Sequence, residues 1–349
     1  MTGKNGFLLA AAVAVLCVGL TAYPPQLSGA GRELTVQVWG GSYEDTMRKY
    51  IVAPFEQETG AKVNVVLGDA PIPQLMAERG APQIDVLNLS DDDGTEAEVN
   101  NLLQPLNLFH IPNAKSLYPQ ALRNHNWVVA NWGARGIAYN TTMVKKAPTS
   151  WFDLWDPQYK GRVMWWDPSG PEGLPLVALF AEALNHRKFT SLNDLQPAFD
   201  KMAQLKPNIF AFAHSHADIQ TAFTRGDIWF APEANGRALS MKTSGLPIGF
   251  AMPKEGAPAV TSILAVTRGS KNVDLAEKFI NIALGSQAEL AYATINGYAP
   301  SNTTVRVPAD LQQYMPYGSA QVKLLYNPDY RLLIQLKSQI TEKLEQILR

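Results

Sequence analysis

Cysteine is nearly missing from this sequence: of 349 residues, only Cys17 is one. It sits in an apolar run from Phe7 to Leu20 that follows Lys4 and gives way to small residues ending Ser28-Gly29-Ala30. That order of basic, apolar and small segments is the layout of a secretory leader. Cleavage after Ala22 or Ala30 would satisfy the small-residue rule. Ala30 is preferred because the first strand signal starts at Leu34, so residues 1–30 are assigned as a signal peptide. The apolar run is short for a bilayer span. Leu16 precedes Cys17 where lipid attachment calls for a small residue. Without the leader no thiol remains, which excludes disulfides and thiol chemistry from the mature chain and fits an oxidising compartment.

A strong net charge is absent too. Thirty Lys and Arg face 31 Asp and Glu, and loss of the leader removes only Lys4, leaving 29 against 31 and a net charge of −2. Nothing in that balance points to nucleic acid or to an anionic membrane surface. The common catalytic signatures are missing as well: there is no Gly-x-Gly-x-x-Gly after a strand, no phosphate loop, no Gly-x-Ser-x-Gly elbow and no His-Glu-x-x-His. His214-Ser215-His216-Ala217-Asp218 places three metal-ligand side chains in five residues. A turn into a helix, capped by Ser215 or Asp218, explains the same residues more simply. Ser90-Asp91-Asp92-Asp93-Gly94 is not a calcium loop, because its acids are adjacent and no Glu follows at the offset such a loop needs. The expectation is therefore no catalytic residue, no metal and no cofactor, with a secreted α/β enzyme built on His214–Asp218 as the competing class.

What is present is a long alternation of strand and helix signals without internal repeat or low-complexity linker. About 320 mature residues exceed what one core usually holds, so two lobes are expected. Leu34–Trp39, Ala61–Leu67 and Ile84–Leu89 read as strands of the first lobe. Helices are expected from Ser42, which can cap one broken or kinked by Pro54, and from Ser90. Arg162–Trp166, Ile209–Ala213, Ile228–Ala231 and Ile248–Met252 read as second-lobe strands, separated by helices at Leu174–His186, Leu192–Leu205, Asp218–Arg225 and Glu233–Thr243. Between the two runs lies Asn131-Trp132-Gly133-Ala134-Arg135-Gly136-Ile137-Ala138-Tyr139-Asn140, a first crossing whose glycines suit a backbone that bends or passes close to something. Val260–Thr267 is the return. The resulting division is residues 31–138 with 266–349 as lobe 1, and 139–265 as lobe 2. At the C-terminus Leu332, Leu333, Leu336, Ile340, Leu344 and Ile347 form an apolar stripe at helical spacing, expected to pack on the protein's own surface.

Several of these stretches carry a resemblance. Trp-Gly-Ala-x-Gly-Ile-x-Tyr-Asn at 132–140, Pro-Thr-Ser-Trp-x-Asp-Leu-Trp-Asp-Pro at 148–157 and Tyr-Lys-Gly-Arg-Val at 159–163 lead the set. With them go Trp39-Gly40-Gly41-Ser42-Tyr43, Pro54–Gly60, Met252–Gly256 and Ala276–Asn281. Together they resemble the periplasmic solute-binding proteins of ABC importers, in the spermidine/putrescine-binding branch, over nearly all of the chain after the leader. The resemblance implies an α/β fold of the two-lobed periplasmic binding type (type II), each lobe a central sheet flanked by helices, with two hinge crossings. It further implies a monomer in the periplasm, not an enzyme, that closes on a small-molecule solute and presents it to an inner-membrane ABC permease.

Ligands of open α/β sheets sit off the carboxyl ends of strands, where helix N-termini present free N–H groups. Trp39, Ser42 and Tyr43 occupy such a place, as do Ser90, Asp92 and Asp93. Trp166 ends a strand, Trp132 and Arg135 lie in the crossing, and Glu233 with Arg135 puts mixed charge near the expected cleft. The resemblance implies aromatic rings beside a methylene chain and carboxylates at ammonium ends. Tyr43 matches a ring position and Glu172 a carboxylate. The chain departs from that pattern at Ser169, at Ala234 ahead of Asn235, and at Val260 and Ser262. Those departures speak against spermidine and putrescine themselves. The reading is a small polar, amine-bearing solute, with a zwitterionic or anionic one, such as an opine-like conjugate or a phosphonate held by Arg135, as the alternative.

Overall fold

Short apolar runs alternating with amphipathic stretches build one mixed sheet flanked by helices in the computed structural model, which describes residues 31–349. The leader assigned to residues 1–30, with Cys17, lies outside the described residues. In the first lobe β1 (Glu33–Val38) pairs in parallel with β2 (Lys62–Leu67) on one side and β3 (Val86–Leu89) on the other. A two-residue β4 (Leu103–Gln104) follows, then β5 (Trp127–Asn140). The second lobe contributes β6 (Val163–Trp166), β7 (Ile209–Ala213), β8 (Phe230–Ala234) and β9 (Ile248–Ala251). The chain returns through β10 (Ala257–Thr267) and adds the short β11 (Ala299–Pro300) and β12 (Leu325–Tyr326). The main strand order is β2-β1-β3-β10-β5-β8-β6-β7.

The crossing expected around Gly133 is longer than a bend. β5 is one strand of 14 residues: Trp127–Ala134 pairs antiparallel with β10, and Arg135–Asn140 pairs with β8 and β9. Its glycines answer to close approach. A Cβ on Gly133 would lie 2.4 Å from Asn235 Oδ1, and one on Gly136 2.4 Å from the Ala251 carbonyl oxygen. β10 lies beside the first half of β5, so the two crossings form a hydrogen-bonded pair rather than two separate linkers.

Helices cover both faces. In the first lobe α1 (Ser42–Met47) runs through a π-helical stretch, Arg48–Val52, into α2 (Ala53–Thr59). Pro54 thus does not end the helix. Its ring would crowd the carbonyl four residues back, and the wider π turn just before it makes room. Ser42 is not the cap, because Gly41 occupies that place; the Ser42 hydroxyl instead accepts from Asn296 Nδ2 at 3.1 Å. α3 (Ile72–Ala77) and α4 (Asp91–Val99) follow, the latter capped by Ser90. The second lobe carries α5 (Leu174–Asn185), α6 (Gln196–Leu205), α7 (His216–Arg225) and α8 (Asn235–Thr243). β8 extends through Glu233 and Ala234, where the sequence suggests a helix start.

Buried side chains gather in a first-lobe cluster around Val36, Phe55, Phe279 and Ile280, and in second-lobe clusters on the two faces of β6 around Phe180 and Phe230, and around Met164 and Phe223. α9 (Val273–Ala283) and α10 (Ser286–Ala291) return to the first lobe. The C-terminal helix Tyr330–Leu348, expected with lobe 1, buries Leu333, Ile340, Leu344 and Leu348 in the second-lobe cluster with Phe199 and Met202. The chain passes from Val322 in the first cluster to Tyr326 in the second, and that passage places the apolar stripe against α5 and α6.

Candidate functional site

A cleft of about 580 Å³ opens between the lobes. From the carboxyl end of β1 it receives Trp39, Ser42 and Tyr43; from the crossing strands, Arg135 and Val260; from the second lobe, Glu172, His216 and Arg237; and from the segment after α10, Asn296 and Tyr298. A recess of about 210 Å³ shares Glu172 and His216 and extends to Trp166, Asp167 and Ser169.

The aromatic wall is built around Tyr43. Its ring lies 4.5 Å from that of Tyr292 and stands edge-on to Trp39 at 5.4 Å and to Tyr298 at 5.7 Å. Its hydroxyl points down into the sheet, accepting from Asn131 Nδ2 at 3.2 Å, and burial pushes the phenol pKa up. Tyr43 therefore offers a ring edge to the cleft and keeps its polar end in the lobe.

The charged wall is Arg135. The residue is 9% exposed; its guanidinium donates to Glu172 through Nη2, stacks over the Trp166 ring at 5.4 Å, and leaves Nη1 without a partner. Glu172 reaches it from the turn before α5, with a third of its side chain open to solvent. Trp166 is fixed from behind by its indole N–H, which donates to the Pro232 carbonyl at 3.0 Å, and His216 meets the ring edge-on at 5.0 Å. The His216 Nδ1 lies 2.7 Å from Glu233 Oε1, out of line for a hydrogen bond, and the fully buried Glu233 leaves Oε2 unpartnered.

In the recess, Asp167 accepts from the Ser169 amide and hydroxyl and from Arg349. Burial alone would raise the Asp167 pKa, but those hydrogen bonds carry it below the usual carboxylate range. Ser169 is thus tied to Asp167 rather than presented as a free group.

Other sequence candidates take structural roles. Trp132 is 2% exposed and packs against Tyr118 in the first-lobe core. The Asn235 carboxamide accepts from the Ala134 amide at 2.9 Å and donates to the carbonyls of Gly297 and Tyr314, strapping α8 of the second lobe to the first. Ser262 is buried in β10. Ser90 and Asp93 bond to each other at the start of α4, and Asp92 is exposed outside the cleft. The buried acid there is Asp91, which accepts from Arg123 and from Thr261. Burial raises its pKa, against the pull of Arg123 and Thr261.

Sequence reasoning missed His216 as a cleft residue. Ser215 caps α7 in a reciprocal capping box with Asp218, which explains the pattern His-Ser-His-Ala-Asp and also turns His216 toward Trp166. Asn296 and Tyr298 were missed too, for they close and follow a second π-helical stretch, Tyr292–Asn296, and carry no local motif. Among the described residues no three His, Cys, Asp or Glu gather as a metal site.

A family model for bacterial extracellular solute-binding proteins matches residues 50–316. The spermidine/putrescine-binding periplasmic protein of Escherichia coli (strain K12) is 27% identical over 216 residues, 59% of this chain, and the match spans about 60% of that relative's length. The gamma-aminobutyric acid-binding protein of Pseudomonas aeruginosa is 23% identical over 314 residues, covering 86% of this chain and 87% of that protein. The solved spermidine/putrescine ABC transporter substrate-binding protein of Streptococcus pneumoniae superposes with a TM-score of 0.76 at 22% identity, over 91% of this chain and 99% of that one. At that identity the likeness concerns the fold, which is that of the type II periplasmic binding proteins.

Proposed function

Since the chain belongs to the bacterial extracellular solute-binding protein family, we propose that it is the periplasmic substrate-binding component of an ABC importer, without catalytic activity. Its ligand is a small amine-bearing solute that also carries a carboxylate. The observation that carries this reading is the charge of the cleft: Arg135 has a buried Nη1 with no partner, and Glu172 lies beside it.

A diamine needs a carboxylate at each ammonium, since an unpaired buried charge is costly. Among the cleft-lining residues Glu172 is the one acid, already bonded to Arg135, while Arg135 and Arg237 supply two cations. An ω-amino acid reverses the problem. Its carboxylate takes the free Arg135 donor in a charge-assisted bond, its ammonium turns to Glu172, and the rings of Trp39, Tyr43 and Tyr298 cover the carbon chain between. The named relatives include both a spermidine/putrescine binder and a gamma-aminobutyric acid binder, and the cleft charge favours the second chemistry here.

Closure would bring residues 139–265 against residues 31–138 and the segment from 266, with the β5–β10 pair as hinge. The solute would then be carried to an inner-membrane permease by the protein as a monomer. Calorimetric titration with gamma-aminobutyrate, putrescine and butyrate tests the reading. Saturable binding of the amino acid, with at least tenfold weaker binding of the other two, is expected; tighter binding of putrescine overturns it.

A further inference from the structure

At the opposite end of the first lobe from the cleft, three loops enclose a pocket of about 300 Å³. Thr267, at its base, pairs with Leu103, one residue on from the Val266–Val86 pair at the start of β3, whereas the cleft lies past the other end of that strand. Two arginines face the pocket, Arg79 from the loop after α3 and Arg268 from the end of β10. Each is held by the same neighbouring turn: Arg79 Nη2 donates to the Asn100 carbonyl at 3.0 Å and Arg268 Nε to the Asn101 carbonyl at 3.1 Å.

The turn is shaped for this. Asn101 is in the left-handed region at φ 56°, which turns successive carbonyls toward the two side chains. The walls also approach closely, since a Cβ on Gly269 would lie 3.3 Å from the backbone of Gly80. Among the described residues neither guanidinium forms an ion pair. The acid that lines the pocket, Glu78, is engaged elsewhere: its two oxygens accept from Gln74 Nε2 and from the Gln83 amide.

A further donor is left over. Thr267 is 3% exposed, and its hydroxyl has no partner. Buried polar groups in native proteins are satisfied, and an orphan beside a pocket calls for something that satisfies it. Two guanidiniums with free N–H groups facing one recess match a tetrahedral oxyanion, because planar guanidinium forks bind such oxygens bidentately; the unpartnered Thr267 hydroxyl is buried in the wall of that recess.

We infer that the pocket between Arg79 and Arg268 is a second ligand site, distinct from the cleft, that takes a phosphate-class oxyanion. Calorimetry on the secreted chain with inorganic phosphate, in buffer free of other oxyanions, should show one saturable site. Affinity should fall at least tenfold in the Arg79→Gln/Arg268→Gln double variant and severalfold in Thr267→Val, with melting temperatures in phosphate-free buffer matching the parent. Sedimentation with phosphatidylglycerol vesicles separates the sources: retention that the double variant loses, without a response to free phosphate, assigns the oxyanion to a lipid headgroup. No saturation with either probe, or saturation that the double variant keeps, overturns the assignment.

Discussion

The Arg135 guanidinium, on the strand shared by both lobes, donates to the Glu172 carboxylate from the second lobe alone and keeps one nitrogen unspent. The cleft thus holds an internal ion pair, and under the proposed function a charged solute would exchange partners with it around Arg135. Arg135→Gln should weaken binding of an ω-amino acid by about 2–5 kcal/mol, the scale for truncating a desolvated charge partner. Asp92→Asn, at an exposed helix start outside the cleft, should change it by under about 1 kcal/mol. Calorimetry on the two variants decides this; equal losses would place Asp92 in the site.

Gly136→Ala should destabilise the fold. The new methyl would meet the Ala251 carbonyl oxygen at 2.4 Å and the Phe250 ring at 2.6 Å, so β5 and β9 must separate. Overpacking of this kind costs about 1–3 kcal/mol. Urea unfolding of the variant measures it, and a stability equal to the parent would mean that the two strands have slack.

Glu289 is fully buried where α10 meets β11, and desolvation raises its carboxyl well above the ordinary range despite hydrogen bonds from Asn302 and Ser301. Ser301 Oγ lies 2.9 Å from Glu289 Oε1 and 3.0 Å from the Ala130 carbonyl. A hydroxyl has one proton to give, so a protonated Glu289 donating to Ser301 satisfies all three. With the folded pKa above the unfolded one, the native state holds a proton that the unfolded chain releases. The stabilisation is therefore full below the unfolded value and is lost as pH rises through the folded one, by at most about 1.4 kcal/mol per pH unit. Glu289→Gln fixes the neutral form, and its unfolding free energy should decline less than the parent's between mildly acidic and mildly basic pH. Identical pH slopes would show that the parent carboxyl is ionised.

Ser215→Ala removes the cap of α7 and should cost about 1 kcal/mol of stability. Zinc should have no effect on the melting temperature of parent or variant. A zinc-dependent rise that the parent shows would return His214, His216 and Asp218 to consideration as ligands.

Much of the fold was legible because its signals are local. Leu34, Val36 and Val38 belong to a short β-rich run closed by Gly40-Gly41, and all three are buried in β1. Ser90 and Ser215 announce their helices by capping chemistry. What stayed hidden depends on distant partners. Gly133 and Gly136 advertise close approach but not that Asn235 and Ala251 are what approaches. The Asn235 side chain suits a cleft by its position in the sequence, yet three first-lobe backbone groups, far apart in the chain, claim it. The seat of the C-terminal helix was equally invisible, since an apolar stripe states that something covers it without stating which lobe does.

The place of β10 bears on how the chain must fold as it is made. β3 lies between β1 and β10, and β10 lies between β3 and β5, with registers Ile263↔Leu89 and Ile263↔Val129. When synthesis or threading proceeds from the N-terminus, every strand of the second lobe appears before the one that fills the gap in the first. Until residues 257–267 arrive, the outer edge of β3 and the first half of β5 have no mutual partner, and long-range pairing of this kind is slow to form. A nascent chain halted before Ala257 should accordingly remain protease-sensitive within Val86–Val129, whereas one released beyond Thr267 gains protection there in a single step.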